Sequence, residues 1–274
     1  MKNNHQIHNL EANYTAHGEG APVILLHGVA GSLHQWDYLI PVLTGAGYRA
    51  LAVDLLGHGD SPWIQNSHNF NGSGYHIESI YQHFAAWLAS LNLSEPPFII
   101  SHSMGGYLAL THTLRGHVVR GLLLASPYYT PRQLTGPVRL SVRRPEVSMM
   151  LLQNTPTWWV ESAIMISDRN GFSLPNAARR QMAEDFKRFD PRMIALPQST
   201  EDLTPHLPHV RVPTMIIWGD NDLTLSPGTF PRLVISVPHS KSLRIPNCGH
   251  VPHLTHRDLF NQTVLDFLGE VMPI

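Results

Sequence analysis

A serine, an acid and a histidine able to act as one unit are the first chemistry the sequence offers. Ser103 lies at the centre of Phe98-Ile99-Ile100-Ser101-His102-Ser103-Met104-Gly105-Gly106-Tyr107, an apolar stretch that runs through a short polar turn into small residues. A serine hydroxyl is a weak nucleophile until a base removes its proton and a third group orients that base. A strand-to-helix turn would throw Ser103 out above the carboxyl end of a sheet. The residues two before and two after it must then be small, because the backbone doubles back there. Gly105 meets that demand and Ser101 nearly does. The helix opening after the turn offers the Met104 amide, and its dipole favours a developing anion at that place.

Such a turn needs a sheet behind it. Short runs rich in Val, Ile and Leu, bounded by Gly, Pro or Asp, alternate with longer segments of helical period, the pattern of parallel strands joined by helices. The runs predict strands from Val23 to Leu26, Arg49 to Val53, Phe98 to Ser101, Val119 to Ala125, Thr214 to Trp218 and Ser242 to Ile245. Ile80, Phe84, Trp87, Leu88 and Leu91 give Ile77 to Leu91 helical spacing, and Leu259 to Leu268 shows the same at the C-terminus. From Tyr128 to Leu207 the rhythm stops and the chain becomes rich in Pro, Arg, Met and Trp, with helical stretches such as Ala177 to Phe189. A segment this long is not a plain loop within a compact domain. The expected fold is therefore α/β, a doubly wound and mostly parallel sheet formed by residues 1–127 and 208–274, with residues 128–207 inserted as a helical lid.

Five motifs in order resemble those of the α/β-hydrolase family over nearly the whole chain. They are His27-Gly28, Asp54-Leu55-Leu56-Gly57-His58-Gly59-Asp60-Ser61, the turn at Ser103, Trp218-Gly219-Asp220-Asn221-Asp222, and Cys248-Gly249-His250-Val251-Pro252. The resemblance implies a chain order of nucleophile, acid and histidine, and Ser103, Asp222 and His250 fall in that order. It favours Asp222 over Asp220, because the family's acid lies three residues beyond the glycine of that loop, here Gly219. Another position some members use for the acid, after the strand ending near Ala125, holds Ser126-Pro127 and no carboxylate. The resemblance also implies an oxyanion hole from the backbone amides of Val29 and Met104. Ser101 stands where glycine is commonest, Leu56 where proline often follows Asp-Leu, and Thr255 where an acid often follows the histidine. None of these departures removes a catalytic group.

The function these residues imply is a serine hydrolase cleaving carboxylic esters of small to medium size through an acyl-enzyme. Its partner is a small-molecule ester, and no cofactor is implied. The alternative is hydrolysis of a carbon–carbon bond in a ring-cleavage product, which family members perform with the same triad. A third reading, a non-catalytic ligand binder of the same fold, is disfavoured because every catalytic position is occupied. In the insertion, Met149, Met150, Trp158, Trp159, Ile164 and Met165 form an apolar set. Of these, Trp158, Trp159, Met149 and Met165 are expected to line the substrate pocket, since lids roof the site and Met and Trp suit apolar ligands.

Composition narrows the rest. With 19 basic and 20 acidic side chains, the formal charge of -1 provides no field to hold nucleic acid or an anionic membrane. A single cysteine cannot form an internal disulfide or a cysteine-rich metal site. A polar N-terminus and the lack of an apolar run near 18 residues predict no membrane span and a cytoplasmic protein. Eighteen histidines invite a metal or pH-sensing reading, and His250, His253 and His256 recur every three residues. That trio lacks a carboxylate and the triad already uses His250, so no metal site is expected. His27 and His58 are read as turn-shaping residues, and His102 as packed on the far side of the elbow.

Overall fold

The computed structural model describes residues 11–64, 75–167 and 174–272. Seven strands form one sheet in the order β1-β3-β2-β4-β5-β6-β7. They are β1 (Tyr14–His17), β2 (Pro22–Leu26), β3 (Arg49–Val53), β4 (Phe98–His102), β5 (Gly121–Ala125), β6 (Thr214–Gly219) and β7 (Lys241–Ile245). All neighbours pair in parallel except β1, which runs antiparallel to β3 with Tyr14 opposite Val53 and His17 opposite Ala50. The six parallel strands fall where the apolar runs predict them. Strand β1 does not follow from the sequence pattern: Tyr-Thr-Ala-His is polar and largely exposed, and it is an edge strand held by its backbone pairing.

The helices are α1 (Ile40–Gly45), α2 (Ile77–Ser90), α3 (Met104–Leu114), α4 (Gly136–Arg143), α5 (Pro145–Asn154), α6 (Thr157–Ser167), α7 (Asn176–Arg188), α8 (Phe230–Ser236), α9 (Pro252–Thr255) and α10 (Arg257–Val271). Side chains alternate across each strand, and here both faces are covered. Ile24 and Leu26 of β2 pack with Ile80, Phe84 and Trp87 of α2 on one side. Val23 and Leu25 pack with Trp36, Phe260, Val264 and Phe267 on the other. A strand buried on both faces must be apolar at every position, which is why these strands read as continuous runs rather than as alternation. Among the described residues no helix is long and apolar enough to cross a membrane.

Helices α4 to α7 and a 3-10 stretch (Pro191–Ser199) all lie between β5 and β6, within the segment where the βα rhythm stops. Helix α7 is anchored to the body beside the sheet. Its buried Asp185 accepts a hydrogen bond of 2.8 Å from Ser32 Oγ, Arg188 pairs with Asp60, and the Asp190 amide donates to the Gly57 carbonyl at 2.9 Å. Burial raises the pKa of Asp185, only partly offset by the hydrogen bonds from Gln181 and Ser32.

Among the described residues six histidines, His27, His58, His83, His102, His112 and His253, are buried. Desolvation lowers the pKa of His27 and His112 to about 4 and that of His58 and His253 to about 3, and holds His102 well below the ordinary value. These rings are neutral in the folded state, yet the unfolded chain protonates them near pH 6.5. Between those values the unfolded state binds more protons. The stability they contribute is therefore complete above about pH 6.5 and lost as pH falls towards 4, by up to about 1.4 kcal/mol per pH unit for each ring. Urea midpoints are expected to fall steeply between pH 7 and pH 5, with the slope reduced in His112→Phe. A flat profile over that range would contradict the assignment of neutral buried rings.

Candidate active site

Strand β4 ends at His102 and helix α3 begins at Met104, so Ser103 is the single residue of the turn between them. Its φ of 51° lies in the left-handed region, a conformation that costs a residue with a side chain on the order of 1–3 kcal/mol. Three hydrogen bonds offset that strain. Ser103 N donates to the Ala125 carbonyl at 3.0 Å, and the Ser103 carbonyl accepts from Gly106 N at 2.9 Å and Tyr128 N at 3.0 Å. The small residues after it are required by space. A Cβ on Gly105 would fall 2.6 Å from the Leu26 carbonyl oxygen and 2.8 Å from that of His27, and one on Gly106 would meet Pro127 at 2.7 Å. Ser101 is accommodated, buried with its Oγ 3.5 Å from the Leu123 carbonyl of the neighbouring strand.

The acid comes from the loop after β6. Asp222 is buried; its Oδ1 accepts from the amides of Thr224 at 2.8 Å and Leu225 at 2.9 Å, which leaves Oδ2 for His250 Nδ1 at 2.7 Å. Asp220 points elsewhere and braces the turn after β7, accepting from Asn247 N at 2.7 Å and Arg244 at 3.2 Å. The two loops pass so closely that a Cβ on Gly219 would sit 2.1 Å from the Cys248 carbonyl oxygen. His250 completes the set with Nε2 3.0 Å from Ser103 Oγ. With Nδ1–H donated to the carboxylate, Nε2 is an acceptor facing the hydroxyl, the tautomer a general base requires.

A cavity of 420 Å³ opens over Ser103 and is lined by Val29, Met104 and His250 along with side chains of the insertion, including Leu134, Val142, Met182, Phe186 and Met193. Met104 opens a helix, where backbone amides have no intrahelical acceptor. The loop carrying Val29 is fixed from behind by His27, whose Nδ1–H donates to the Gly28 carbonyl at 2.7 Å while Nε2 accepts from Leu55 N at 2.9 Å. Asp54 holds the same region, accepting from the amides of Leu33 at 2.7 Å and Asp60 at 2.9 Å.

Not all of the residues expected from the sequence to line the pocket do so. Trp158 and Trp159, expected in the pocket, are 67% and 55% exposed and do not line it. Val160 is buried and Ile164, four residues on, lines the cavity, so the inward face of α6 runs through those two. The tryptophans stand about 100° and 200° off that face. Met149 is buried but lines a separate cavity with Trp63, Glu146 and Arg192. The side chain of Met165 lies outside the described residues. The pocket wall not anticipated from sequence is Met182 and Phe186 of α7, whose spacing of four within a predicted helix was the available signal. His102 is buried as expected, but it contacts the cavity and the loop of His250 rather than the far side of the elbow.

Comparison with known proteins agrees with this architecture. The sequence profile described as Alpha/beta hydrolase family matches residues 23–263. A 2-hydroxy-6-oxononadienedioate/2-hydroxy-6-oxononatrienedioate hydrolase of Cupriavidus pinatubonensis is 28% identical over 265 residues, spanning 92% of this chain and 88% of that protein. Among solved structures, a thermophilic esterase from Thermogutta terrifontis aligns with a TM-score of 0.79 at 20% identity, over 96% of this chain and 94% of that one. A meta-cleavage product hydrolase from Pseudomonas fluorescens aligns with a TM-score of 0.74 at 22% identity, over 96% of each chain.

The close approach at Gly105 gives a direct test of the turn. Both atoms that a Cβ would strike first are backbone oxygens of the adjoining strand and loop, which cannot rotate away. Gly105→Ala is expected to lower unfolding free energy by about 2 kcal/mol or more, as overpacking against fixed atoms does. Urea denaturation of the two proteins measures it, and equal midpoints would show that the turn is looser than described.

Proposed function

The chain belongs to the alpha/beta hydrolase family, and from that premise we propose that it hydrolyses a neutral, largely apolar carboxylic ester through an acyl-enzyme on Ser103. His250 Nε2 takes the hydroxyl proton as Ser103 Oγ attacks the carbonyl carbon, and the buried Asp222 carboxylate stabilises the resulting imidazolium. The amides of Val29 and Met104 hold the tetrahedral oxyanion. Collapse of that intermediate breaks the carbon–oxygen bond, and the departing alcohol receives the proton from His250. Water, deprotonated by the same imidazole, then attacks the acyl-enzyme and releases the acid. Residues 128–207 act as the lid, excluding water from the site and shaping the acyl pocket.

The observation that carries the choice of ester is the character of the cavity beside the Ser103–His250–Asp222 chain. Among the described residues that line it there is no Lys or Arg, and most are aliphatic, aromatic or Met. The curated relatives favour a second reading, because the name of the Cupriavidus protein specifies a carbon–carbon substrate bearing two carboxylates. Seating such a dianion among these side chains would leave charge buried without a partner, which is costly. An ester with an apolar acyl group carries no such penalty.

A panel of p-nitrophenyl esters from acetate to octanoate, run beside a 2-hydroxy-6-oxo dienedioate, separates the two readings. The expected result is turnover of the esters with a burst of p-nitrophenol and a kcat/KM at least about 100-fold above that of the dienedioate, a difference of about 2.7 kcal/mol in transition-state binding. Hydrolysis of the dienedioate with no release from any ester would replace the ester reading with carbon–carbon hydrolysis.

A further inference from the structure

His102 precedes the nucleophile on the chain and is 3% exposed. Its Nε2 lies 2.9 Å from the backbone carbonyl oxygen of His250. Its Nδ1 lies 3.2 Å from Oε1 of Gln35, a residue also buried, and that oxygen accepts from Gly28 N at 3.4 Å. The loop that carries Val29 passes directly over the ring, since a Cβ on Gly28 would fall 2.8 Å from Nδ1 and 3.0 Å from the Ser103 Cβ. The amide of Gln35 is wedged under the same loop, where a Cβ on Gly31 would come within 2.3 Å of it. His253 packs behind, its ring tilted by 53° at 4.6 Å between centroids.

The chemistry of these contacts fixes the proton. Both facing oxygens can only accept, and the closer one, the His250 carbonyl at 2.9 Å against 3.2 Å for Gln35 Oε1, takes the proton from Nε2. Burial, then the neighbouring His253 and His250, disfavour a second proton on the ring, so Nδ1 carries none and Gln35 Oε1 is left to the Gly28 amide, which donates to it at 3.4 Å. The His250 ring must meet Asp222 on one side and Ser103 on the other, which demands a backbone held to within about 0.5 Å. The turn at Ser103 is anchored by its own backbone hydrogen bonds. His250 sits on a loop between β7 and α9, and the bond from His102 ties that loop to the turn without passing through the triad.

We propose that His102 is a positioning residue, a strut whose Nε2–H holds the His250 carbonyl and whose ring, packed under Gly28 beside Gln35, registers the oxyanion loop against the nucleophile turn. The proposal rests on the triad reading above. The strut does not touch the reacting atoms, and it acts by keeping base, nucleophile and amide donors in one frame. Its loss should therefore lower kcat while leaving the apolar pocket, and with it KM, nearly unchanged.

Two variants separate this role from simple packing. His102→Leu keeps apolar volume without a donor, whereas His102→Gln can place an N–H near the position of Nε2. For p-nitrophenyl butyrate, the Leu variant is expected to lose about 30-fold or more in kcat with KM within about threefold, the scale of small misplacements at a reacting centre. The Gln variant should recover kcat to within about fivefold of the original protein. The rate of Ser103 labelling by a fluorophosphonate, which needs the triad but no ester, should follow the same order. If the original protein labels but cleaves no ester, the ester reading fails and the labelling ratios still judge the strut. Should His102→Leu fail to fold, Gln35→Leu takes its place and is expected to reduce the labelling rate about tenfold. A folded Leu variant with unchanged kcat and labelling, a Gln variant as impaired as the Leu variant, or a Gln35→Leu protein that labels at the original rate would overturn the proposal.

Discussion

The left-handed backbone at Ser103 is the constraint around which the rest of the molecule is arranged. A serine held at φ 51° is stable only where surrounding structure fixes it, and the fixing groups come from far along the chain. Ala125 of the adjacent strand accepts from its amide, Tyr128 donates to its carbonyl, and the carbonyls of Leu26 and His27 crowd the helix turn that follows. These contacts exist because β2, β4 and β5 are neighbours in one parallel sheet. These central strands are in turn buried on both faces, so the strain at one residue is borne by the core around it. Release of the turn would let the Ser103 hydroxyl leave the 3.0 Å separation from His250 Nε2.

The second requirement is that two further loops arrive at the same point, and here charge rather than packing sets the geometry. Asp222 carries its charge in a buried site because two backbone amides and one imidazole N–H donate to it. With that carboxylate fixed, the tautomer of His250 follows. The other buried imidazoles near the site, His27, His102 and His253, are kept neutral by desolvation and serve as hydrogen-bonding or stacking elements. The abundance of histidine in this chain thus reflects neutral polar rings inside a sparsely charged protein as much as it reflects catalysis.

The central parallel strands were legible in the sequence because burial on both faces leaves an uninterrupted apolar run. The turn at Ser103 was legible because glycine is demanded where backbone atoms come within 3 Å. Asp222 and Asp220 could be told apart by position relative to Gly219, which is constrained by the crossing of two loops. Strand β1 was illegible, since an exposed edge strand held by backbone pairing places little demand on residue type. The pocket was misread at Trp158 and Trp159 because apolar content alone does not say which face of α6 turns inward. The rotation of that helix is set by Val160 and Ile164, and by its packing on α7. His102 was taken as packing because hydrogen bonding to a residue 148 positions away leaves no local signal.

The proposed chemistry requires that Ser103 be a nucleophile activated by His250 within this folded frame. Mass spectrometry after exposure to a fluorophosphonate measures it most directly, comparing the original protein with Ser103→Ala and His250→Ala. One covalent adduct per chain is expected, located on the peptide containing Ser103, absent in Ser103→Ala and strongly slowed in His250→Ala while all three proteins remain folded. A native protein that acquires no adduct, or one labelled at a residue other than Ser103, would contradict it.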